Sequence, residues 1–152
     1  MQRAVTLREA GDLEGILALC SEHPDDPEVL YQCAWTHDKL GRESEAVQYY
    51  ERAIEQGLEG EELRGAYVGL GSTYRCLGRY HDSLELLSRA SEQFPDDRAL
   101  KVFSALAYYN LGRSERAMEI LLTQLLETTG DERILAYGRA LHYYADKLDK
   151  IW

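Results

Sequence analysis

The triplet Leu-Gly-Arg occurs three times in this chain of 152 residues, with its glycine at Gly41, Gly78 and Gly112. The first two glycines are 37 residues apart and the last two are 34 apart. A repeated unit of about 34 residues has the length of two antiparallel helices joined by a short turn. The chain is therefore expected to fold as a stack of similar helical hairpins.

Apolar and small residues recur at fixed distances on either side of each glycine. Before the glycine they occupy offsets −11, −8, −7 and −4, which lie on one face of a helix. These sets are Leu30, Cys33, Ala34 and His37; Tyr67, Leu70, Gly71 and Tyr74; and Lys101, Ser104, Ala105 and Tyr108. After the glycine, offsets +5, +8, +9 and +12 give the face of a second helix: Ala46, Tyr49, Tyr50 and Ala53; Ser83, Leu86, Leu87 and Ala90; and Ala117, Ile120, Leu121 and Gln124. Each glycine is predicted to end the first helix, because glycine enters the left-handed conformation without steric cost.

These residues resemble the tetratricopeptide repeat family, whose pattern is Trp-x-x-Leu-Gly-x-x-Tyr, then Ala-x-x-x-Phe, then Pro. The third unit keeps the pattern best, as Tyr67-x-x-Leu70-Gly71-x-x-Tyr74, Ser83-x-x-x-Leu87 and Pro95. Other units depart from it: Leu58 and Thr129 replace the proline, and Lys101 replaces the large apolar residue that opens the fourth unit. The resemblance covers about residues 27–129 well, and the two ends of the chain as degenerate units.

The resemblance implies an all-α fold, a right-handed superhelical solenoid of antiparallel helix hairpins with a C-terminal capping helix. We expect a single domain over residues 1–152, with units at about 1–26, 27–63, 64–97 and 98–130 and the capping helix at 131–149. The second helix of the first unit should be about one turn short. The aspartates of Pro24-Asp25-Asp26-Pro27 and Pro95-Asp96-Asp97, together with Asp131, are predicted to cap helix N-termini.

The charge of the chain disfavours two classes of partner. Its 27 acidic and 17 basic residues give a formal charge of −10, which repels nucleic acid phosphates and anionic lipid surfaces. The apolar runs are too short to cross a bilayer, and the N-terminus has no signal-type apolar core, so we expect a cytoplasmic protein. The cysteines Cys20, Cys33 and Cys76 form no Cys-x-x-Cys pair and are expected to be reduced and mostly buried.

The candidate chemical motifs each have a structural explanation that we favour. Cys33 and His37 are four residues apart and could share a metal, but both fall on the predicted core face. His142 with Asp146 is a similar pair, and the Gly-rich run 69–73 lies inside a helix with no preceding strand, which disfavours a phosphate loop. The arginines Arg42, Arg79 and Arg113, one after each glycine, are read either as solvated turn residues or as a ladder for an acidic partner. The sequence therefore predicts no enzyme, no cofactor and no metal site.

The first helices carry a second stripe, at offsets −13, −10, −6 and −3 from the glycine. In tetratricopeptide-like stacks this stripe lines the concave face. Together with two neighbouring aromatic residues, it predicts these binding residues: Tyr31, Trp35, Asp38, Val68, Ser72, Arg75, Val102, Phe103, Leu106, Tyr109 and Tyr143. At the offset of Trp35 the other units carry Ser72 and Leu106, so Trp35 is predicted to be partly exposed near Tyr31.

This stripe is largely apolar and aromatic. The family's peptide clamp for C-terminal carboxylates needs basic or amide residues there, so a chaperone C-terminus is disfavoured. The expected partner is an apolar helix or extended peptide of another protein, which would make the chain an adaptor or scaffold. The alternative is a self-associating structural module whose groove is filled by a second copy.

Overall fold

The computed structural model describes residues 2–152, and these fold into ten α-helices without a β-strand. The helices are α1 (Gln2–Ala10), α2 (Leu13–Glu22), α3 (Pro27–Lys39), α4 (Glu43–Glu55), α5 (Gly60–Cys76), α6 (Tyr80–Gln93), α7 (Arg98–Asn110), α8 (Ser114–Thr128), α9 (Glu132–Ala136) and α10 (Gly138–Tyr144). The all-α prediction is confirmed.

The helices pack as hairpins that stack in chain order. α3 pairs with α4, α5 with α6, and α7 with α8, and each hairpin also contacts the next through α4 with α5 and α6 with α7. The first helices form a row of their own, in which α3 contacts α1 and α5, and α5 contacts α7. This arrangement is a helical solenoid, as the repeat predicts. α2 has 10 residues and α6 has 14, so the first unit has the short second helix expected from its spacing.

The repeated glycines end the first helix of each hairpin. Gly41, Gly78 and Gly112 have φ of 70°, 76° and 73°, in the left-handed region that favours glycine. The amide of the arginine that follows each glycine donates to a carbonyl one turn back, as in Arg79 N to Tyr74 O at 2.8 Å. This bond satisfies a free carbonyl at the helix end. The predicted turn is therefore confirmed in all three units.

The predicted aspartate caps are also confirmed. Asp26 accepts from the amides of Glu28 and Val29 at 2.9 and 3.2 Å, and starts α3. Asp97 and Asp131 make the same pair of bonds at the starts of α7 and α9. Each carboxylate satisfies amide groups that have no partner inside the helix, so its role is structural.

The apolar core is concentrated in the first three hairpins. Its main cluster runs from Ala4 to Leu86, and a smaller cluster contains Leu87, Ala90 and Leu100. Small residues allow the paired helices to approach: a Cβ added at Gly71 would lie 2.6 Å from Cγ of Leu87. The predicted small positions thus bring each hairpin's two helices together.

The cysteines and His37 follow the packing interpretation, with one exception. Cys20, Cys33 and His37 are buried, and the His37 ring stacks on Tyr49 at a centroid distance of 5.1 Å. Cys76 is exposed, so two of the three thiols are buried, in agreement with the expectation of mostly buried cysteines. Cys76 lies in the last turn of α5, next to the exposed Leu77 at the hairpin turn, where no later helix covers it.

The segment 131–149 does not form the single helix expected from its sequence. Its helical part is divided at Tyr137 into α9 and α10, and neither helix contains a buried residue. α10 packs against α8 and α9. Five large apolar and aromatic side chains of the segment remain exposed: Leu135, Tyr137, Tyr143, Tyr144 and Leu148.

Candidate binding groove

A groove of about 660 Å³ lies across the first helices α3, α5 and α7. Six of the predicted binding residues line it: Tyr31, Trp35, Asp38, Val68, Ser72 and Phe103. These residues come from three successive units, and the solenoid stack brings them to one surface. We call this surface the groove.

Trp35 is the largest exposed side chain of the groove, with 42% of its surface accessible. Its ring centroid is 5.7 Å from that of Tyr31. Cζ of Arg8, from α1, lies 3.8 Å from the Trp35 centroid, in a cation–π contact. The predicted partial exposure next to Tyr31 is confirmed, and the neighbours hold the indole in one orientation.

Tyr31 is only 6% exposed, which corrects the expectation that it is an open position of the stripe. Its ring packs between Trp35 and Tyr50, and its hydroxyl occupies the space that a Cβ at Gly65 would need. Burial raises the pKa of the Tyr31 hydroxyl, because the charged form would lose its hydration. Tyr31 therefore supports Trp35 from below and offers little surface of its own.

Asp38 forms part of the groove floor. Its Oδ2 accepts a 2.8 Å hydrogen bond from the Tyr50 hydroxyl, and its two oxygens accept from the Thr73 hydroxyl at 2.9 and 3.0 Å. Burial raises the pKa of the Asp38 carboxyl above its ordinary value, and the bonds from Tyr50 and Thr73 oppose that shift. No Lys, Arg or His among residues 2–152 forms an ion pair with this carboxylate.

Tyr50 lines the groove although its offset assigns it to the core of the second helix. Its side chain reaches through the hairpin because Gly69, on α5, leaves room: an added Cβ there would be 2.5 Å from the Tyr50 hydroxyl. Gly65 and Gly69 are four residues apart and therefore share one face of α5. This spacing is a sequence signal that large side chains from the previous unit pack against that face.

Charged side chains border the groove, and they form ion pairs or hydrogen bonds with other groups of the protein. Nη1 of Arg64 lies 3.6 Å from Asp96 and 3.7 Å from Asp97, and its guanidinium stands over the Phe94 ring at 4.5 Å. Lys39 donates to the carbonyl of Glu9 at 3.0 Å, at the end of α1. The pair with Asp96, whose carboxylate is 77% exposed, contributes at most about 1 kcal/mol and mainly orients Arg64.

The other predicted residues do not line this groove. Arg75 contacts Asn110, with Nη1 at 3.5 Å from Oδ1, and Val102 is half-buried. Leu106 and Tyr109 are exposed further along α7. Tyr143 is not among the residues that line the groove; its ring is 5.5 Å from that of Trp152, and α10, which carries it, packs against α8 and α9. The extension of the groove onto the last helix is therefore wrong.

The described residues contain neither a cluster of potential metal ligands nor a helix that could span a membrane. Across residues 2–152, no three His, Cys, Asp or Glu side chains are grouped so that they could hold a metal ion. None of the helices described has the length and apolar character needed to cross a membrane.

A comparison with protein-family models agrees with the repeat found in the sequence. A model described as tetratrico peptide repeat matches residues 27–148. The match includes the three hairpins that form the groove and extends over α9 and α10. It therefore covers residues 27–129, where the sequence resemblance is clearest, and most of the C-terminal segment, where the resemblance is degenerate.

Proposed function

The chain belongs to the tetratricopeptide repeat family, whose domains generally mediate protein–protein interactions, and we propose that its groove binds an apolar helix or extended peptide of another protein. Domains of this family are typically interaction modules without enzymatic activity. An adaptor role follows from this proposal, and the cytoplasm is the compartment we expect.

The observation that carries the proposal is the exposed and oriented indole of Trp35. Tyr31 lies beside it, and Arg8 covers part of one face, so the ring loses little conformational freedom when a partner binds. The half-buried Val68 and Phe103 continue the apolar surface on α5 and α7. A preoriented aromatic residue within an apolar surface is typical of the positions that dominate binding energy.

The polar groups of the groove favour an apolar segment over a carboxylate terminus. Asp38 would repel a carboxylate, and Lys39 is engaged with the carbonyl of Glu9. Arg64 is paired with Asp96 and Asp97 on the border. The groove thus offers an apolar surface with an acidic floor.

A second copy of the chain is the alternative occupant, and one observation favours it. Ile151 is 95% exposed and Trp152 is 66% exposed, so the chain itself carries an accessible apolar segment. Sedimentation of the wild type and of Trp35→Ala over a range of concentrations separates the two occupants. A dimer that dissociates in the variant would support the second copy, and a monomer in both would support another protein.

Binding by another protein is tested with a photo-crosslinking amino acid at Ser72, which lies in the groove, and with the same residue at the exposed Gln48 on α4 as control. Crosslinked peptides identified by mass spectrometry should be apolar and should appear at Ser72 but not at Gln48. They should also disappear when Trp35→Ala is combined with the Ser72 label. Equal crosslinking at both positions would reject the groove as the binding surface.

The affinity is then measured with a synthetic copy of the crosslinked peptide. Trp152→Phe leaves Trp35 as the single tryptophan of the chain, so its fluorescence reports on the groove alone. The proposal predicts a blue shift on binding. Calorimetric titration of the wild type and of Trp35→Ala, which needs no tryptophan, should show that the variant weakens the affinity tenfold or more, which is about 1.4 kcal/mol. A loss of about 3 kcal/mol in unfolding free energy with unchanged affinity would show that Trp35 serves packing instead.

A further inference from the structure

A second cavity, of about 410 Å³, lies between α6, α7 and α8. Its lining includes the following residues: Ser88, Ser91, Lys101, Ser104, Arg116 and Ile120. Lys101 and Ser104 stand at offsets −11 and −8 from Gly112, which are core-face positions of α7. We call this cavity the polar cleft, and it is separate from the groove.

The preceding unit shows why the polar cleft is open. At the offsets of Lys101 and Ser104 it carries Tyr67 and Leu70. Leu70 is buried in the main core, and the Tyr67 ring packs at 6.3 Å from Phe94. The fourth unit therefore has a cation and a small hydroxyl where its neighbour has two large side chains that fill the space.

The second helices show the same replacement of a large apolar side chain by a small polar one. Ser91, on α6, corresponds in repeat register to Ile54 on α4, because each follows its glycine by 13 residues. Ile54 packs against the main core. Three positions that carry large, mainly apolar side chains in one layer of the solenoid thus carry a lysine or a serine in the next, and all three line the same cavity.

The polar cleft presents hydrogen-bond donors without matching acceptors. Ser91 Oγ is buried and has no hydrogen-bond partner within residues 2–152. Lys101 is half-buried and forms no ion pair with any carboxylate of the described chain, whereas Arg116 is paired with Glu119 at 2.6 Å. A buried hydroxyl and an ammonium that are both unpaired cost free energy unless a water or a ligand bonds to them.

We propose that the polar cleft binds a small organic anion through a carboxylate or phosphate group, held by Lys101 and Ser91. Charge-assisted bonds from an ammonium to such oxygens are about twice as strong as neutral ones. Ile120 supplies an apolar wall for the remainder of the ligand. A cavity of about 410 Å³ falls in the range of small-molecule sites.

The net charge of −10 opposes anion binding only at long range. At physiological ionic strength, charges more than about 8 Å apart are largely screened when they are exposed to solvent. The half-buried Lys101 is screened less, and Glu119, the carboxylate that lines the same cavity, is already paired with Arg116. The local field in the polar cleft is therefore set by the lysine.

The test is a titration of the isotope-labelled protein by two-dimensional NMR, with inorganic phosphate in one arm and succinate in the other, at constant ionic strength. Saturable shifts are expected at the amides of Ser91, Lys101 and Ser104 in at least one arm. The arm that saturates identifies the group that the cleft prefers. Lys101→Met should weaken the affinity at least tenfold, while Lys150→Met, which removes the same charge outside the cleft, should leave it unchanged.

A second variant distinguishes loss of binding from loss of folding. Lys101→Tyr introduces the side chain that Tyr67 provides in the preceding unit, so it should fill the cleft, raise the melting temperature and abolish the saturable shifts. The proposal is overturned if neither anion saturates the shifts, or if Lys101→Met and Lys150→Met respond alike. It is also overturned if Lys101→Tyr folds and still binds as the wild type does.

Discussion

The hydroxyl of Tyr50 donates a 2.8 Å hydrogen bond to Oδ2 of Asp38, across the interface of α3 and α4. Thr73, on α5, donates to the same carboxylate at 2.9 and 3.0 Å. One acidic side chain thus joins three helices from two successive units beneath the groove. The bonds orient Asp38, while the Tyr31 ring packs on the Tyr50 ring and Trp35 packs on Tyr31.

Tyr50→Phe should lower the free energy of unfolding by about 1.5–3 kcal/mol at neutral pH, because it removes a hydrogen bond to a charged group. In an Asp38→Asn background the same substitution should lower the free energy of unfolding by a smaller amount. The measurement is urea unfolding of the four proteins of this double-mutant cycle. An equal cost in both backgrounds would show that the hydroxyl and the carboxylate do not interact energetically.

The same pair predicts a dependence on pH. Burial holds the pKa of Asp38 above its ordinary value, so the stability gained from its protonation is full below about pH 3.9 and is lost as the pH rises through the folded pKa. Tyr50→Phe removes a bond to the charged form and should raise this pKa further. The cost of Tyr50→Phe should therefore grow as the pH rises. Unfolding measured over a pH series, with the Asp38 carboxyl followed by NMR, checks both trends.

His37 has both ring nitrogens buried and without a hydrogen-bond partner in residues 2–152. Burial lowers the pKa of its imidazole, partly opposed by Glu45, so the unfolded chain takes up a proton more readily than the native one. This costs stability as the pH falls through about 6.5. His37→Phe keeps the stacking on Tyr49 and should raise the free energy of unfolding by about 1 kcal/mol.

The gain from His37→Phe should increase between about pH 8 and about pH 5, because only the wild type loses stability as its unfolded histidine is protonated. Thermal unfolding of both proteins across this range measures the difference. His81→Phe, at an exposed position, is the matched control and should show no such trend. A gain that shrinks at acidic pH would contradict the assignment of His37 as a buried neutral side chain.

Gly69→Ala should destabilise the protein by about 1–3 kcal/mol, because the new methyl group would lie 2.5 Å from the Tyr50 hydroxyl. Gly138→Ala is the control, since its Cβ would meet Leu126 at an ordinary 3.8 Å. Alanine suits a helix better than glycine, so this control should keep or raise stability by up to about 1 kcal/mol. Chemical unfolding gives both values. Equal changes in unfolding free energy at the two glycines would show that the close contact between Gly69 and Tyr50 does not constrain the packing beneath the groove.

The sequence predicts the features that depend on local geometry. The turns at Gly41, Gly78 and Gly112 and the caps at Asp26 and Asp97 follow from single residues and their neighbours, and they are confirmed. The exposure of Trp35 could also be predicted, because its offset is not conserved in size between units. These inferences need no knowledge of how far one unit lies from the next.

The features that the sequence analysis missed depend on contacts between units. Tyr31 is buried because Gly65, in the next unit, lets its ring pack closely. Tyr50 is buried as its offset predicts, but its contact with the groove depends on the space that Gly69 leaves, which the offset does not give. Tyr143 lies outside the groove, on α10, beyond the break of the last segment at Tyr137, and its ring packs near Trp152. Periodicity assigns a residue to a helix face, but it does not give the distance to the neighbouring hairpin.

Because the apolar core is uneven, local opening of the solenoid should start at its C-terminal end. The main apolar cluster joins α1 to α6, whereas α9 and α10 contain no buried residue. In a repeat protein each unit is stabilised mainly by its neighbours, so the free energy of local opening should fall towards the C-terminal end. Amide hydrogens of α10 should then exchange with solvent first and those of α3 and α5 last. The groove lies mostly in the slowly exchanging part, whereas the polar cleft, between α6, α7 and α8, lies closer to the end where local opening begins.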